Sequence, residues 1–141
     1  SKYGQGFATV EYLAASLLDM DYHTLKEQLP GMDIEAFEAE AMNKRGLIRQ
    51  IPPRYRTTYF GHTMEGGYTA GYYSYIWAEV LDADAFEAYK ETGDIFNPEV
   101  ASKFRKYVLT PGGIDDAMDM YKNFRGKEPG IEPLLKNRGL K

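Results

Sequence analysis

Apolar residues recur at helical spacing near the start of the chain, where they predict an amphipathic helix from Gly6 to Asp19. The residues of this stripe would lie on one side of the helix: Phe7, Val10, Ala14, Leu17 and Leu18. The pattern breaks in the segment 21–30, and the sequence LPGMD follows at Leu29 to Asp33. Because proline and glycine favour turns, this sequence predicts a turn between two helices.

A second helix is predicted from Ile34 to about Lys44, with Asp33 as its N-cap and Gly46 as its stop. Its inner side would carry apolar residues at helical spacing: Phe37, Ala41 and Met42. The next segment, Ile51 to Phe60, contains two prolines and then residues that favour β-structure. We expect an extended stretch or a short strand there, because the prolines disfavour a helix.

The longest predicted helix begins near Thr69, runs to about Thr92 and ends at Gly93. A core stripe would lie along it: Tyr73, Trp77, Val80 and Leu81. Three other tyrosines have the spacing i, i+4, i+7: Tyr68, Tyr72 and Tyr75. On a helix their phenols would line one face, so the spacing predicts a row of hydroxyl donors.

The last third of the chain predicts short helices separated by proline and glycine. Asn97, Pro98 and Glu99 provide a cap, a proline at the first position and an acid in the first turn of a helix that runs to Leu109. Another helix is predicted from Asp115 to Phe124, with Gly126 as its stop. Its inner residues would be Ala117, Met120, Tyr121 and Phe124. Residues 134–139 should form at most one helical turn, and the whole pattern predicts a single all-α domain.

The composition is that of an ordinary globular chain with an excess of acidic residues. Of the 141 residues, 43% are hydrophobic and 27% are charged, and the net charge is −4. This charge argues against nucleic acid or an anionic membrane as a partner. No stretch approaches the roughly 18 apolar residues of a membrane span. The absence of cysteine excludes disulfides and thiolate chemistry. We expect a cytoplasmic location.

The segment FGHTMEGGYTAGYYSYIWAEV, residues 60–80, carries the candidate chemistry. It joins His62 to the pair Gly66–Gly67 and then to the row of tyrosines. Glycine accepts backbone angles that are closed to other residues, so this loop can bend and move. A mobile loop followed by hydroxyl donors suits a site that closes over a polar ligand.

This segment resembles the C-terminal signature of the thimet-oligopeptidase family of zinc metallopeptidases. The extra residue between His62 and the glycines makes it most similar to the bacterial peptidyl-dipeptidase (dipeptidyl carboxypeptidase) branch. Other stretches resemble the same family: GQGFATVEYLAASLLD, IPPRYRTTYFGH, FRKYVLTPGG and FRGKEPGIEPLLKNRGL. The resemblance covers residues 1–141. It implies that the chain is the C-terminal helical part of the catalytic domain of a larger, mainly helical, zincin-type peptidase.

The resemblance also implies roles for individual residues. His62 and Tyr75 would stabilise the oxyanion of a peptide undergoing hydrolysis, and Tyr68 would position the substrate. The remaining residues implied in substrate binding are Gly66, Gly67 and Tyr72. A phenol with an ordinary pKa near 10 stays protonated at neutral pH, so it can donate to an oxygen that gains negative charge.

The family's zinc site is built on an HExxH helix, which this chain lacks: His23 is followed by Thr24 and His62 by Thr63. The resemblance therefore implies zinc in the full-length enzyme, held upstream, and no metal bound by this chain. Its partners would be short peptide substrates and the missing N-terminal part of the same enzyme. The fragment alone should be inactive, and an exposed docking patch should make it tend to form a homodimer.

The residues alone leave alternatives open. His62 could bind a metal, or it could be a loop histidine bonded to a backbone carbonyl. The tyrosines could be core residues, or they could form the binding face of a free-standing all-α module that binds a peptide or another protein without catalysis. Arg54 and Arg56 could hold a substrate carboxylate or form surface salt bridges.

Overall fold

A computed structural model describes residues 2–27 and 30–141 of the chain. Within these residues every regular element is helical and no strand forms, which confirms the predicted all-α class. The α-helices are α1 (Gln5–His23), α2 (Ile34–Lys44), α3 (Gly61–Met64), α4 (Ser74–Lys90), α5 (Pro98–Phe104), α6 (Ala117–Arg125) and α7 (Glu132–Arg138). A 3₁₀-helix forms at Thr57–Tyr59 and a π-helix at Arg105–Leu109. No helix in this described part of the chain is long and apolar enough to cross a membrane.

The chain forms two compact units, one that ends at Tyr75 and one that spans Ile76–Lys141. In the N-terminal unit, α1 and α2 pack through a small buried cluster: Ala14, Leu18 and Met42. Tyr22, Ala41 and Leu47 pack around this cluster. The predicted stripe of α1 is only partly buried, because Phe7, Val10 and Leu17 remain exposed. One side of α1 therefore forms core, and an adjacent apolar strip faces outward.

Helix α2 has the bounds that its sequence predicted. Asp33 caps it, because one carboxylate oxygen accepts the N–H groups of Glu35 and Ala36, each at 3.0 Å. Gly46 ends it in the left-handed conformation, with φ of 72°. The turn predicted for Leu29 to Asp33 lies partly outside the described residues, since Leu29 is not among them.

The strand considered for Ile51 to Phe60 was wrong. The prolines do keep the start of this segment out of a helix, but Thr57–Tyr59 forms a 3₁₀-helix. Its first N–H donates to the buried carboxylate of Glu38 at 2.8 Å, and the Thr57 hydroxyl donates to the same oxygen at 2.8 Å. The Glu38 side chain of α2 thus accepts the Thr57 N–H. In a strand, this N–H would instead pair with a neighbouring strand.

Helix α4 begins at Ser74 and not near Thr69, so the predicted start was wrong. The residues before it form turns, and Ala70 has φ of 53°. Tyr73 precedes the helix and is 52% exposed, and Trp77 is 46% exposed, so neither belongs to the predicted core stripe. Val80 is buried, as the stripe required.

The C-terminal unit contains the short helices that the sequence predicted. Asn97 caps α5 by accepting the N–H groups of Glu99 and Val100 at 3.0 and 3.1 Å. The predicted helix to Leu109 continues as the π-helix after Phe104. Helix α6 ends at Gly126, whose φ is 79°.

Two details of this unit differ from the prediction. Tyr121 and Phe124 of α6 are buried, but Ala117 is exposed, because it is the first residue of the helix. The last element, α7, spans Glu132–Arg138 and is longer than the single turn expected. It is held by Leu134, which packs with Val80 and Ala83 in a buried cluster.

A buried carboxylate also stabilises the C-terminal unit. Asp84 is 3% exposed, accepts the Tyr121 hydroxyl at 2.5 Å and pairs with Arg125 at 3.2 Å. Burial and the bond to Asp84 raise the pKa of Tyr121. Arg125 also binds Glu91 through two bonds of 2.7 and 2.6 Å. The buried Asp84 carboxylate thus has both a hydrogen-bond donor and an ion-pair partner, which a buried charge requires.

Candidate functional site

The imidazole of His62 lies among four tyrosine rings in the N-terminal unit. The centroid of its ring is 5.0 Å from that of Tyr55, 5.7 Å from Tyr72, 5.9 Å from Tyr68 and 6.3 Å from Tyr75. The structure therefore brings together the four aromatic site residues named from the sequence, His62, Tyr68, Tyr72 and Tyr75. Tyr68 and Tyr72 precede α4, so the tyrosine row is assembled by a turn and not by one helix face.

The two glycines of the loop have different surroundings. A Cβ atom on Gly66 would lie 2.7 Å from the carbonyl oxygen of His62, so a side chain there would collide with the backbone. Gly66 N–H donates to the Gly61 carbonyl at 3.0 Å, and Tyr68 N–H donates to the His62 carbonyl at 3.3 Å. A Cβ on Gly67 would meet nothing within 4 Å. Gly66 therefore permits the close chain path that places Tyr68 beside His62.

Tyr72 forms the buried floor of the site. It is 3% exposed, and its carbonyl accepts the Tyr12 hydroxyl at 2.6 Å. Burial is the main cause that raises the pKa of Tyr72, and the positive charge of Arg54 acts in the opposite direction. Its ring makes edge contacts with Phe60 and Tyr55, at centroid distances of 5.0 and 5.9 Å. The floor is thus a packed aromatic layer with a protonated phenol at neutral pH.

Tyr68 and Tyr75 form the exposed part of the site. Their side chains are 40% and 38% exposed, and their rings stack at 5.0 Å. Hydrogen bonding with Tyr68 is the largest cause that raises the pKa of Tyr75 to about 12. Both phenols are therefore exposed to a ligand, and the raised pKa of Tyr75 keeps its hydroxyl protonated at neutral pH.

Tyr55 and Asp19 were not among the site residues that the sequence indicated. Tyr55 stacks on Phe60 with an interplanar angle of 8° and touches His62. Asp19, on α1, accepts the N–H groups of Ala70 and Tyr72. Tyr55 lies in the stretch IPPRYRTTYFGH, whose density of aromatic residues was a usable signal. Asp19 carried none, because the backbone N–H groups that it accepts are more than fifty positions away.

The two candidate arginines have different environments. Arg56 forms an ion pair with the buried carboxylate of Glu38. Arg54 is exposed, and among the described residues it forms no ion pair with a carboxylate. Its backbone N–H donates to the Glu11 carbonyl at 3.0 Å, and its charge acts on the Tyr72 phenol. Of the two, Arg54 is thus the cation that is near the site and able to meet an anionic group.

The described residues contain no group of three or more metal-ligating side chains. The two histidines have separate surroundings. His23 Nδ1 lies 2.8 Å from a carboxylate oxygen of Asp19, whereas the His62 ring packs against tyrosine rings. What this arrangement can offer a ligand is an imidazole, two exposed phenols and a nearby guanidinium.

The chain is similar to known peptidases along nearly its whole length. The model of peptidase family M3 matches residues 1–140. A dipeptidyl carboxypeptidase of Escherichia coli (strain K12) is 39% identical over 99% of this chain and 21% of its own length. An oligopeptidase A of Haemophilus influenzae is 49% identical over 57% of this chain and 12% of its own length.

A more distant relative extends the same pattern. Saccharolysin of Saccharomyces cerevisiae is 35% identical over 94% of this chain and 18% of its own length. The chain spans about a fifth of the length of the relatives that match it along its whole length. The resemblance found in the loop therefore holds for the chain as a whole, and the chain belongs to peptidase family M3.

Proposed function

We propose that this chain is the C-terminal, substrate-side part of a zinc-dependent peptidyl-dipeptidase or oligopeptidase that hydrolyses short peptides. The observation that carries the proposal is the cluster of His62 with the phenols of Tyr68 and Tyr75 in a chain of a peptidase family. The name of the dipeptidyl carboxypeptidase relative supports release of dipeptides.

In this proposal the exposed donors act on the peptide that is cleaved. His62 and Tyr75 donate to the oxygen of the scissile carbonyl as it gains negative charge, and Tyr68 positions the peptide beside them. One preorganised donor of this kind is typically worth about a hundredfold in kcat. Gly66, Gly67 and Tyr72 shape the surface on which the substrate lies. Because Tyr75 has a raised pKa, it keeps the proton that it must donate.

The zinc ion belongs to another part of the protein. The described residues do not fit a zinc site, because none of their histidines and carboxylates form a group of three. In the full-length enzyme, zinc would activate water as a Lewis acid. The residues of this chain bind and orient the peptide and donate hydrogen bonds, and the chain alone is inactive.

An exposed apolar surface on the N-terminal unit supports the proposal that the chain is part of a larger enzyme. A groove of about 350 Å³ lies between α1 and the segment after α2. Its apolar lining includes Val10, Leu13, Leu17, Leu47, Ile48 and Ile51. Exposed apolar surface of this kind marks an interaction site. The dipeptidyl carboxypeptidase relative is about five times as long as this chain. We therefore propose that the rest of the same polypeptide covers this groove.

The direct test is an assay of the full-length protein that contains this chain. A quenched fluorescent peptide of a few residues should be cleaved, a chelator should abolish cleavage, and added zinc should restore it. The 141-residue chain alone should show no cleavage. Failure of the full-length protein to cleave any short peptide, or cleavage by the chain alone in the presence of chelator, would overturn the proposal.

A further inference from the structure

The Asp19 carboxylate joins α1 to the turn that carries the site tyrosines. Its two oxygens accept different backbone donors: Oδ1 accepts the N–H of Ala70 and Oδ2 the N–H of Tyr72, both at 3.0 Å. The side chain is fully buried, at 0% exposure. One carboxylate therefore fixes two alternate residues of a turn that lies far away in sequence.

These hydrogen bonds stabilise the buried Asp19 carboxylate as well as the turn. A buried carboxylate is tolerated only when hydrogen bonds replace its water. Asp19 has the two backbone N–H groups, and the Nδ1 atom of His23 lies 2.8 Å both from Oδ1 and from the main-chain oxygen of Asp19. Removal of the carboxylate would leave the N–H groups of Ala70 and Tyr72 without acceptors in a packed region.

The turn itself needs external support. Ala70 has φ of 53°, and it is the one non-glycine residue with positive φ in the described part of the chain. Alanine disfavours this conformation because its Cβ crowds the following carbonyl oxygen. A strained backbone of this kind persists only where the surroundings hold it. The Asp19 carboxylate supplies such support from α1 through its bond to the Ala70 N–H.

The position of the turn decides where the phenols lie. Tyr68 enters the turn, Tyr72 leaves it, and Tyr75 follows in the first turn of α4. The rings of Tyr68 and Tyr72 reach His62 at 5.9 and 5.7 Å. A shift of the turn would therefore move these phenols relative to the imidazole.

We infer that Asp19 is a positioning residue of the site: its carboxylate holds the turn at residues 68–72 and thereby keeps the phenols of Tyr68 and Tyr75 beside His62. The inference rests on the proposed peptidase function for its effect on activity. Asp19 touches no substrate in this scheme. It acts through the backbone of the turn.

The test compares Asp19→Asn with the wild type in the full-length protein. The amide has the shape of the carboxylate, but its NH₂ group would face one of the two backbone N–H donors. We expect kcat to fall about a hundredfold, as small displacements in a catalytic site can cause. KM should change much less, and amide hydrogen exchange in residues 68–72 should become faster.

Asp84→Asn is the matched control, since Asp84 is also buried but binds Tyr121 and Arg125 in the C-terminal unit. It should lower the melting temperature and leave kcat unchanged. A double variant tests the cause: Ala70→Gly added to Asp19→Asn should recover kcat about fivefold, because glycine accepts the positive φ without strain.

If Asp19→Asn fails to fold, Ala70→Val tests the same turn without touching α1. A β-branched residue resists positive φ, so kcat should again fall while α1 and its core remain intact. Wild-type kcat in Ala70→Val, wild-type kcat in Asp19→Asn, or an equal loss in Asp84→Asn would each overturn the inference.

Different results would overturn the peptidase function and the positioning role of Asp19. A wild-type protein that cleaves no peptide overturns the peptidase function, and hydrogen exchange then tests Asp19 by itself. Unchanged exchange at residues 68–72 in Asp19→Asn would show that the carboxylate does not hold the turn.

Discussion

The rings of Tyr68 and Tyr75 stack with their centroids 5.0 Å apart and an interplanar angle of 29°. Their hydrogen bonding favours the protonated phenol and raises the pKa of Tyr75 to about 12. The two exposed phenols therefore act on each other and are not two separate surface tyrosines. The consequences of this pairing can be measured.

Tyr75→Phe removes one hydroxyl and little volume. In the full-length protein we expect kcat to fall about a hundredfold, because one donor to the developing oxyanion is lost. Stability should barely change, since the side chain is 38% exposed. Steady-state kinetics and a melting curve would check both. Tyr73→Phe is the control: Tyr73 is 52% exposed, lies two positions away and should keep full activity. Unchanged turnover in Tyr75→Phe would remove this residue from the mechanism.

Tyr68→Phe should lower the pKa of Tyr75 from about 12 toward the ordinary value of 10.0, because hydrogen bonding with Tyr68 is its largest cause. Tyrosine labelled with ¹³C at Cζ, assigned by single substitutions, reports each phenol in a pH titration. The sign for stability follows. A raised pKa in the folded state contributes stability that is fully present below pH 10.0 and is lost as the pH rises to about 12.

The titration has an internal control in Tyr121, whose pKa is raised by burial and by Asp84 in the C-terminal unit. Its titration should be the same in the wild type and in Tyr68→Phe. A Tyr75 resonance that titrates identically in both proteins would show that the two phenols are not coupled.

Gly66→Ala and Gly67→Ala form a matched pair. The added methyl on Gly66 would lie 2.7 Å from the His62 carbonyl oxygen, whereas the one on Gly67 would meet nothing within 4 Å. We expect Gly66→Ala to lower stability by about 1–3 kcal/mol and to reduce kcat, because the loop must shift where it carries His62. Gly67→Ala should behave like the wild type in thermal melts, because its added methyl meets no neighbouring atom. Equal behaviour of the two variants would refute a steric role for Gly66.

Local signals predicted the parts of the fold that depend on neighbouring residues. Asp33 and Asn97 were identified as caps because the backbone N–H groups that their side chains accept lie two or three positions away. Gly46 and Gly126 were identified as stops because glycine favours positive φ. The start of α4 was misplaced because Asp19, on another helix, fixes the turn at Ala70 and Tyr72.

The same distinction applies to the site. The motif around His62 placed four of its aromatic residues in one cluster, although Tyr68 and Tyr72 lie in a turn and not on the predicted helix. Tyr55 and Asp19 reach the cluster only through tertiary contacts. Periodicity along one segment cannot report such contacts, because they depend on how separate segments pack.

The apolar groove predicts how the isolated chain behaves. Without the remainder of the protein, the 141-residue chain should self-associate and bind a dye for exposed apolar surface, because Leu13 and Leu17 are each 39% exposed beside the groove. Leu13→Glu should reduce both effects, whereas Leu109→Glu, on an exposed residue of the C-terminal unit, should reduce neither. Light scattering would measure this. A monomeric chain without dye binding would favour a free-standing binding module.

Arg54 offers a test of whether the enzyme recognises the C-terminal carboxylate of its peptide. An exposed guanidinium without a carboxylate partner in the described structure can bind such a group through two hydrogen bonds. In the full-length protein, Arg54→Gln should raise KM about tenfold for a peptide with a free C-terminus and leave an amidated peptide unaffected.

Arg56→Gln is the control for this experiment. It leaves the buried Glu38 without its ion-pair partner, so it should lower the melting temperature. It should not change the preference for a free carboxylate over an amide. Equal cleavage of both peptides by the wild type would instead indicate an endopeptidase and remove Arg54 from substrate recognition. If Arg56→Gln lost the preference for a free carboxylate and Arg54→Gln kept it, the assignment would be reversed. Arg56, and not Arg54, would then bind the C-terminal carboxylate of the peptide.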